Sequence, residues 1–172
     1  GRLTIANAHT LAAGGSRFDL RGSGTVFVET GTFAEATSTV RYGGTVGSSV
    51  LSTTYYNLEV MALGGSPTFN TSGLGIIVSN ALSVGGAATT TFTLDASDPA
   101  LDVNGSVRID SLGTLVGSAS ALFTVAGDWD NNGIFTGSGG TVTFDSSATS
   151  LIDAGNSSFS NATINGSGAF TI

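Results

Sequence analysis

The chain contains no cysteine, no lysine and no glutamine, and one histidine among its 172 residues. Without thiols there is no disulfide framework, no thiolate metal site and no cysteine nucleophile. Without lysine the isopeptide cross-links that stiffen some surface fibres cannot form. Five arginines, spread from Arg2 to Arg108, do not make the cationic surface that nucleic acid requires. Only 10% of residues are ionisable, and the formal net charge is −7. Such a sparse acidic surface favours solubility, stays off anionic membranes and can hold divalent cations. Apolar runs such as Gly75-Ile76-Ile77-Val78 are far short of the roughly 20 residues of a membrane span. No signal peptide is visible and the first residue is Gly1, which reads as a processed start or as a stretch within a longer polypeptide. Helical periodicity is missing as well. Whatever strength the chain has must come from backbone ladders and packing.

What the chain does have is small residues and a repeat. Gly, Ser and Thr make up 73 of the 172 residues, a composition often seen in disordered linkers. The hydrophobic fraction of 40% is too high for that reading. The apolar residues fall in two-residue steps, apolar-x-apolar, often with a glycine two positions later. They begin at Phe18, Val40, Leu58, Leu82, Leu101, Phe123, Val142 and Ala162, spaced 18 to 24 residues apart. Each step reads as a short strand with alternate side chains on opposite faces. One strand per coil at a period of about 20 residues predicts an all-β parallel β-solenoid of about eight coils. The alternative is an antiparallel β-sandwich, which also has short, regularly spaced strands.

A longer periodicity overlies the short one. Gly31-Thr32-Phe33 through Val40-Arg41-Tyr42 matches Gly133-Ile134-Phe135 through Val142-Thr143-Phe144 at an offset of 102 residues. Tyr56-Asn57-Leu58-Glu59-Val60 matches Ser160-Asn161-Ala162-Thr163-Ile164 at 104. Residues 1–172 therefore read as one array holding about one and two-thirds copies of a unit near 103 residues, itself about five coils. The stretch Gly127-Asp128-Trp129-Asp130-Asn131-Asn132-Gly133-Ile134-Phe135-Thr136, with Gly140-Thr141-Val142-Thr143-Phe144 and Phe159-Ser160-Asn161-Ala162-Thr163-Ile164, resembles the repeat of very long bacterial surface proteins. Residues 31–60 carry a degenerate copy, and residues 24–29 lack the Trp and the paired Asn. The resemblance implies a β-solenoid in an extracellular adhesive or structural array.

Candidate chemistry is sparse. Asp128-Trp129-Asp130-Asn131-Asn132-Gly133 opens like a calcium loop, in which alternate oxygen side chains converge and glycine permits the sharp turn. The closing acid would fall at position 139, which is Gly139, so a complete EF-hand loop is excluded. Two readings stay open: a solenoid corner with Trp129 inward, or a weak calcium site on Asp128, Asp130 and Asn132. Asp95, Asp98 and Asp102 form a second acidic group, with Arg108 as the basic residue nearest in sequence. That set reads as solvated turn acids, or as fragments of a polysaccharide-cleaving centre. His9 has no G-x-S-x-G elbow to serve. Thr89-Thr90-Thr91-Phe92-Thr93 and Thr141-Val142-Thr143 read as strand residues, or as short pieces of a water-ordering threonine ladder. Tyr42, Tyr55, Tyr56, Phe144 and Phe159 hold corresponding repeat positions and read as stacked core rings, Tyr42 and Phe144 above all, or as sugar platforms. Tyr55 and Tyr56 cannot both point inward, so one or both could serve as a sugar platform. Asn70, Asn104, Asn156, Asn161 and Asn165 lie in N-x-S/T acceptors.

These readings converge on a non-enzymatic extracellular structural repeat protein, part of a surface fibre, filament or adhesin stalk. Its expected partners are copies of itself, head to tail, or further turns of the same chain. No catalytic set, no nucleic-acid partner and no cofactor beyond the candidate calcium are expected. The alternatives are a carbohydrate-binding adhesive module recognising surface glycans and, behind it, a polysaccharide-active β-helix enzyme.

Overall fold

The structure, a computed structural model, describes all 172 residues as strands, turns and bends without a helix. Every pairing among the 22 strands is parallel. That excludes the antiparallel sandwich and establishes a β-solenoid of about eight turns of about 22 residues. At about 4.8 Å per turn the rod is roughly 40 Å long.

Each turn visits three faces in a fixed order. The first face is built from Leu3–Ile5, Gly24–Thr25 with Phe27–Glu29, Ser48–Leu51, Thr68–Ser72, Thr90–Thr93, Gly113–Val116 and Ile134–Thr136. The second comprises Thr10–Ala12, Thr32–Ala34, the first halves of Thr54–Val60 and Gly75–Val84, then Ala100–Val103, Phe123–Val125, Thr141–Phe144 and Asn161–Ile164. The third comprises Arg17–Leu20, Thr39–Tyr42, the second halves of Thr54–Val60 and Gly75–Val84, then Ser106–Ile109, Trp129–Asn131, Ser150–Asp153 and Phe170–Thr171. In the eighth turn residues 157–159 take the first-face place without forming a strand.

Alternation along each short strand sends one set of side chains into a narrow core, and the parallel register superposes them turn on turn. On the third face Val40, Leu58, Leu82, Val107, Trp129 and Ile152 form one inward column. On the second, Ile76, Leu101, Phe123 and Val142 form another. On the first, Phe69, Phe92, Leu115 and Phe135 do the same. Together with their neighbours they make one buried cluster of 32 residues.

The eight apolar steps seen in the sequence do not lie in one column. The steps at Phe18, Val40, Leu58 and Leu82 stack on the third face, whereas those at Leu101, Phe123, Val142 and Ala162 stack on the second. Leu82 has Val107 above it, and Leu101 has Ile76 below it. The change of face occurs because Gly75–Val84 runs around the corner between the two faces as one ten-residue strand. Its first half pairs with Ala100–Val103 and its second with Ser106–Ile109. The interval from Leu82 to Leu101 is therefore not a turn, and counting it as one shortened the inferred coil to about 20 residues.

The long repeat changes face in the same way. Phe18 lies on the third face but its counterpart Phe123 lies on the second; Phe33 lies on the second and Phe135 on the first. Counted strand by strand, one copy spans fourteen strand places, four turns and two-thirds rather than five. Each copy is thus displaced by one face from the copy before it.

Glycine at the corner between the second and third faces has a steric cause. A Cβ at Gly105 would overlap the carbonyl oxygen of Asn80 in the turn below, and one at Gly127 would come within 2.6 Å of the Gly105 backbone. Successive turns touch there through backbone alone.

Candidate functional site

Three outer faces and two end turns are the surfaces on which this chain can act, and they differ in chemistry. The middle residues of the third-face steps point outward and form the column Asp19, Arg41, Glu59, Ser83, Arg108, Asp130 and Asp153. Opposite charges in neighbouring turns lie within one or two strand spacings, so they pair across the ladder. Arg17 contacts Glu59 at 2.8 Å and Asp19 at 3.3 Å, while Arg41 and Arg21 approach Asp19 at 3.8 and 3.4 Å. Arg108 contacts Asp110 at 2.8 Å and Asp130 at 2.9 Å. Burial is the largest single influence on the Asp19 carboxyl and pushes its pKa up. The Arg17 hydrogen bond and the charges of Arg41, Arg17 and Arg21 together outweigh it and hold the group below its ordinary value. Arg108 is raised, chiefly by its hydrogen bond and charge interaction with Asp110.

The first face carries no ionisable side chain in its outward columns. Thr68, Thr91, Thr114 and Ile134 form one of these, and Thr25, Ser49, Asn70, Thr93, Val116 and Thr136 the other. The Thr91-Phe92-Thr93 step thus stands in a row of hydroxyl and methyl groups, with Asn70, Val116 and Ile134 interrupting the threonines. On the second face Asp102, Thr124, Thr143 and Thr163 form an outward column, in which the Thr124 hydroxyl donates to Asp102 at 2.6 Å.

The candidate calcium residues lie along and on either side of the strand Trp129–Asn131: Asp130 is within it, Asp128 just before it and Asn132 just after it. Asp128, Asp130 and Asn132 alternate with the buried Trp129 and Asn131, so their side chains follow one edge of the rod. Asp130 and Asn132 meet each other, whereas Asp128 is engaged by the turn above, so the three do not wrap around one point. Asp128 accepts the Leu151 N–H at 2.8 Å, and Asp130 accepts from Arg108 and from the Asn132 amide at 2.6 Å. Asn131 turns inward and serves the corner: its amide donates to the Ala154 carbonyl at 2.8 Å, and its carbonyl accepts the Gly133 N–H at 3.1 Å.

Tyr55 is not available as a sugar platform, because it is fully buried. Its hydroxyl lies 3.0 Å from that of Tyr42 and donates to the Leu51 carbonyl at 2.7 Å, while the Tyr42 hydroxyl accepts the Leu51 N–H at 3.1 Å. Burial raises Tyr42 to about 12 and Tyr55 well above 10. Strand alternation leaves Tyr56 on the outer side, half-buried. The second acidic group does not converge either. Asp98 accepts from the Ala119 N–H at 2.6 Å and from the Ser120 hydroxyl, Asp102 accepts from Thr124, and Arg108 belongs to another face. His9 and all five sequon asparagines are exposed.

The surface has three open grooves of about 320, 400 and 320 Å³, and each is lined by one ionisable side chain: Arg21, Asp102 and His9 respectively. A two-carboxylate mechanism requires two such groups facing one space. The ends of the rod are a different kind of surface. Asn161–Ile164 pairs only with the turn below, all four of its residues are exposed, and Ile164 is 49% exposed. Leu3–Ile5, Thr10–Ala12 and Arg17–Leu20 pair only with the turn above. The end strands therefore carry free backbone donors and acceptors beside incompletely covered apolar columns.

The charge ladder is a surface feature that no single short motif announces. Its signal lay in the middle residues of the apolar steps, where Asp19, Arg41 and Glu59 alternate in sign. Comparison with family models, with curated proteins and with solved structures found no match.

Proposed function

We propose that the chain is a non-enzymatic structural repeat module that stacks end to end, with copies of itself or with further turns of the same polypeptide. Its setting in this reading is an extracellular surface fibre, filament or adhesin stalk. The observation that carries the proposal is the pair of uncovered end turns on a rod whose third-face ladder runs unbroken from Arg17–Leu20 to Phe170–Thr171. Free strand edges template the addition of another strand. In a solenoid, stability grows with each neighbour contact, so a further turn covers Ile164, Phe159 and Phe170 and satisfies the open ladders at once. The extracellular setting rests on the likeness to long bacterial surface repeats and on the composition, without thiols or lysine.

Sedimentation of the 172-residue chain over a wide concentration range, with electron microscopy of the same samples, tests this reading. The expected outcome is linear assemblies of one turn's width that lengthen with concentration. A monodisperse monomer at millimolar concentration overturns it.

A further inference from the structure

We propose that the rod carries a charge polarity that sets the direction of stacking: the first turn of one copy docks on the eighth turn of a second copy, and pairing of like ends is opposed. The inference rests on the end-to-end reading above and adds its partner surface and orientation. Residues 1–60 hold four arginines against Asp19, Glu29, Glu35 and Glu59, and are neutral in sum. Residues 61–172 hold Arg108 against eight aspartates and carry the whole net charge of −7. The contrast sharpens toward the tips. The first turn has Arg2, Arg17 and Arg21 against Asp19, whereas everything after residue 125 has Asp128, Asp130, Asp145 and Asp153 and no cation. All four of these aspartates reach the surface.

The geometry lets those charges meet on one side of the rod. Arg17 and Asp153 both belong to third-face strands; Arg21 lies at the end of that face toward the first face, and Asp145 at its other end, at the corner with the second. If a second copy continues the ladder, its first turn stands two turns above Asp145 and Asp153. That is about 10 Å, close to the screening length of roughly 8 Å at physiological salt. The chain already makes a contact of this reach: Arg17 in the first turn contacts Glu59 in the third at 2.8 Å. Backbone and apolar columns allow a turn to be added at either tip. Charge distinguishes the choices, because two C-terminal tips bring aspartates together and two N-terminal tips bring arginines together. Strand direction agrees, since only head-to-tail addition continues a parallel ladder.

Charge reversal separates this polarity from stacking itself. One variant carries Asp145→Arg with Asp153→Arg, and the other Arg2→Glu with Arg21→Glu; the latter pair avoids the Arg17 ladder contacts. Far-UV circular dichroism checks that each keeps the parent fold, and sedimentation velocity reads association at low and high salt. The expected result is parent association that weakens about tenfold or more at high salt, as steered contacts do. Each variant alone should lose about tenfold in association, and an equimolar mixture should recover it, because each reversed tip then finds a complement. Parent association with no effect of either reversal, or no recovery on mixing, overturns the polarity and leaves stacking intact. A parent that stays monomeric at every concentration overturns both. Should a variant misfold, the salt dependence of the unmodified chain decides: association that does not weaken with salt rejects the proposal.

Discussion

The two copies of the long repeat fill the same places with different chemistry. Phe27, Glu29, Tyr42 and Tyr55 in the first correspond to Trp129, Asn131, Phe144 and Phe159 in the second. In the second copy Trp129 makes edge-on or tilted contacts with Phe123, Phe135, Phe144 and Phe159, at centroid distances of 4.8 to 6.0 Å. Its buried indole N–H has no hydrogen-bond partner. In the first copy a polar network takes over: the Tyr42 and Tyr55 hydroxyls meet, and Glu29 accepts from the Phe33 N–H at 3.0 Å and the Thr53 hydroxyl at 2.7 Å. The counterpart of that Phe33 N–H, on Phe135, donates instead to Ser157 at 2.9 Å, the residue matching Thr53. A solenoid turn therefore fixes where a side chain points and how much room it has. It leaves open whether the room is filled by rings or by hydrogen bonds.

The largest expected break in this comparison is Trp129→Ala, which empties the aromatic cluster at a fully buried position. Urea unfolding should show a loss of about 3–5 kcal/mol. A loss below 1 kcal/mol would mean that the second copy does not depend on its ring cluster.

The tyrosine pair offers a middle-sized test. Tyr55→Phe alone strands the Leu51 carbonyl and one partner of Tyr42, and should cost about 1–3 kcal/mol. Tyr42→Phe with Tyr55→Phe recreates the ring pair of the second copy, so the double variant should lose less than the two single losses together. Additive losses would show that the two copies are not interchangeable. The same pair sets an alkaline limit. Tyr42 has a folded pKa of about 12 against 10 in the unfolded chain. Its contribution is therefore complete below pH 10 and is lost as the pH rises through about 12. Stability curves between these values should fall in the parent and flatten in the double variant.

The smallest effect belongs to the outer ladder. Arg108 is 55% exposed along its side chain, so Arg108→Ala should cost about 0.2–1 kcal/mol, and less in high salt. A loss above 2 kcal/mol would show that the ladder holds turns together and does more than decorate them. Asp19, held below its ordinary pKa, contributes above the unfolded carboxyl value of 3.8 and loses that contribution as the pH falls further.

Much of this fold was legible because its signals are local. Alternation within Val40-Arg41-Tyr42 or Leu101-Asp102-Val103 marks an inward and an outward side whatever the neighbours are. Glycine at the corners and the absence of helical spacing point the same way. The Phe33–Phe135 and Tyr42–Phe144 matches established the long repeat, and the inward role of Tyr42 and Phe144 followed from it. The candidate site residues were less legible. Asp128 and Asp130 match a calcium-loop pattern, but whether they converge depends on backbone that the strand extends. Nothing in Tyr55-Tyr56 says which ring the pleat turns inward.

Sequence alone determined repeated short strands with an apolar interior, because two-residue alternation acts over a few residues; that the strands run parallel and not as an antiparallel sandwich was decided by the structure. Only the tertiary structure decided which steps share a face. Gly75–Val84 rounds a corner without a break, so Leu101 stacks on Ile76 instead of following Leu82. Only the assembled rod, likewise, brings Arg17 to Glu59 and Arg108 to Asp130. Which charges become neighbours depends on how many residues each turn consumes, and that number is set by how the corners pack.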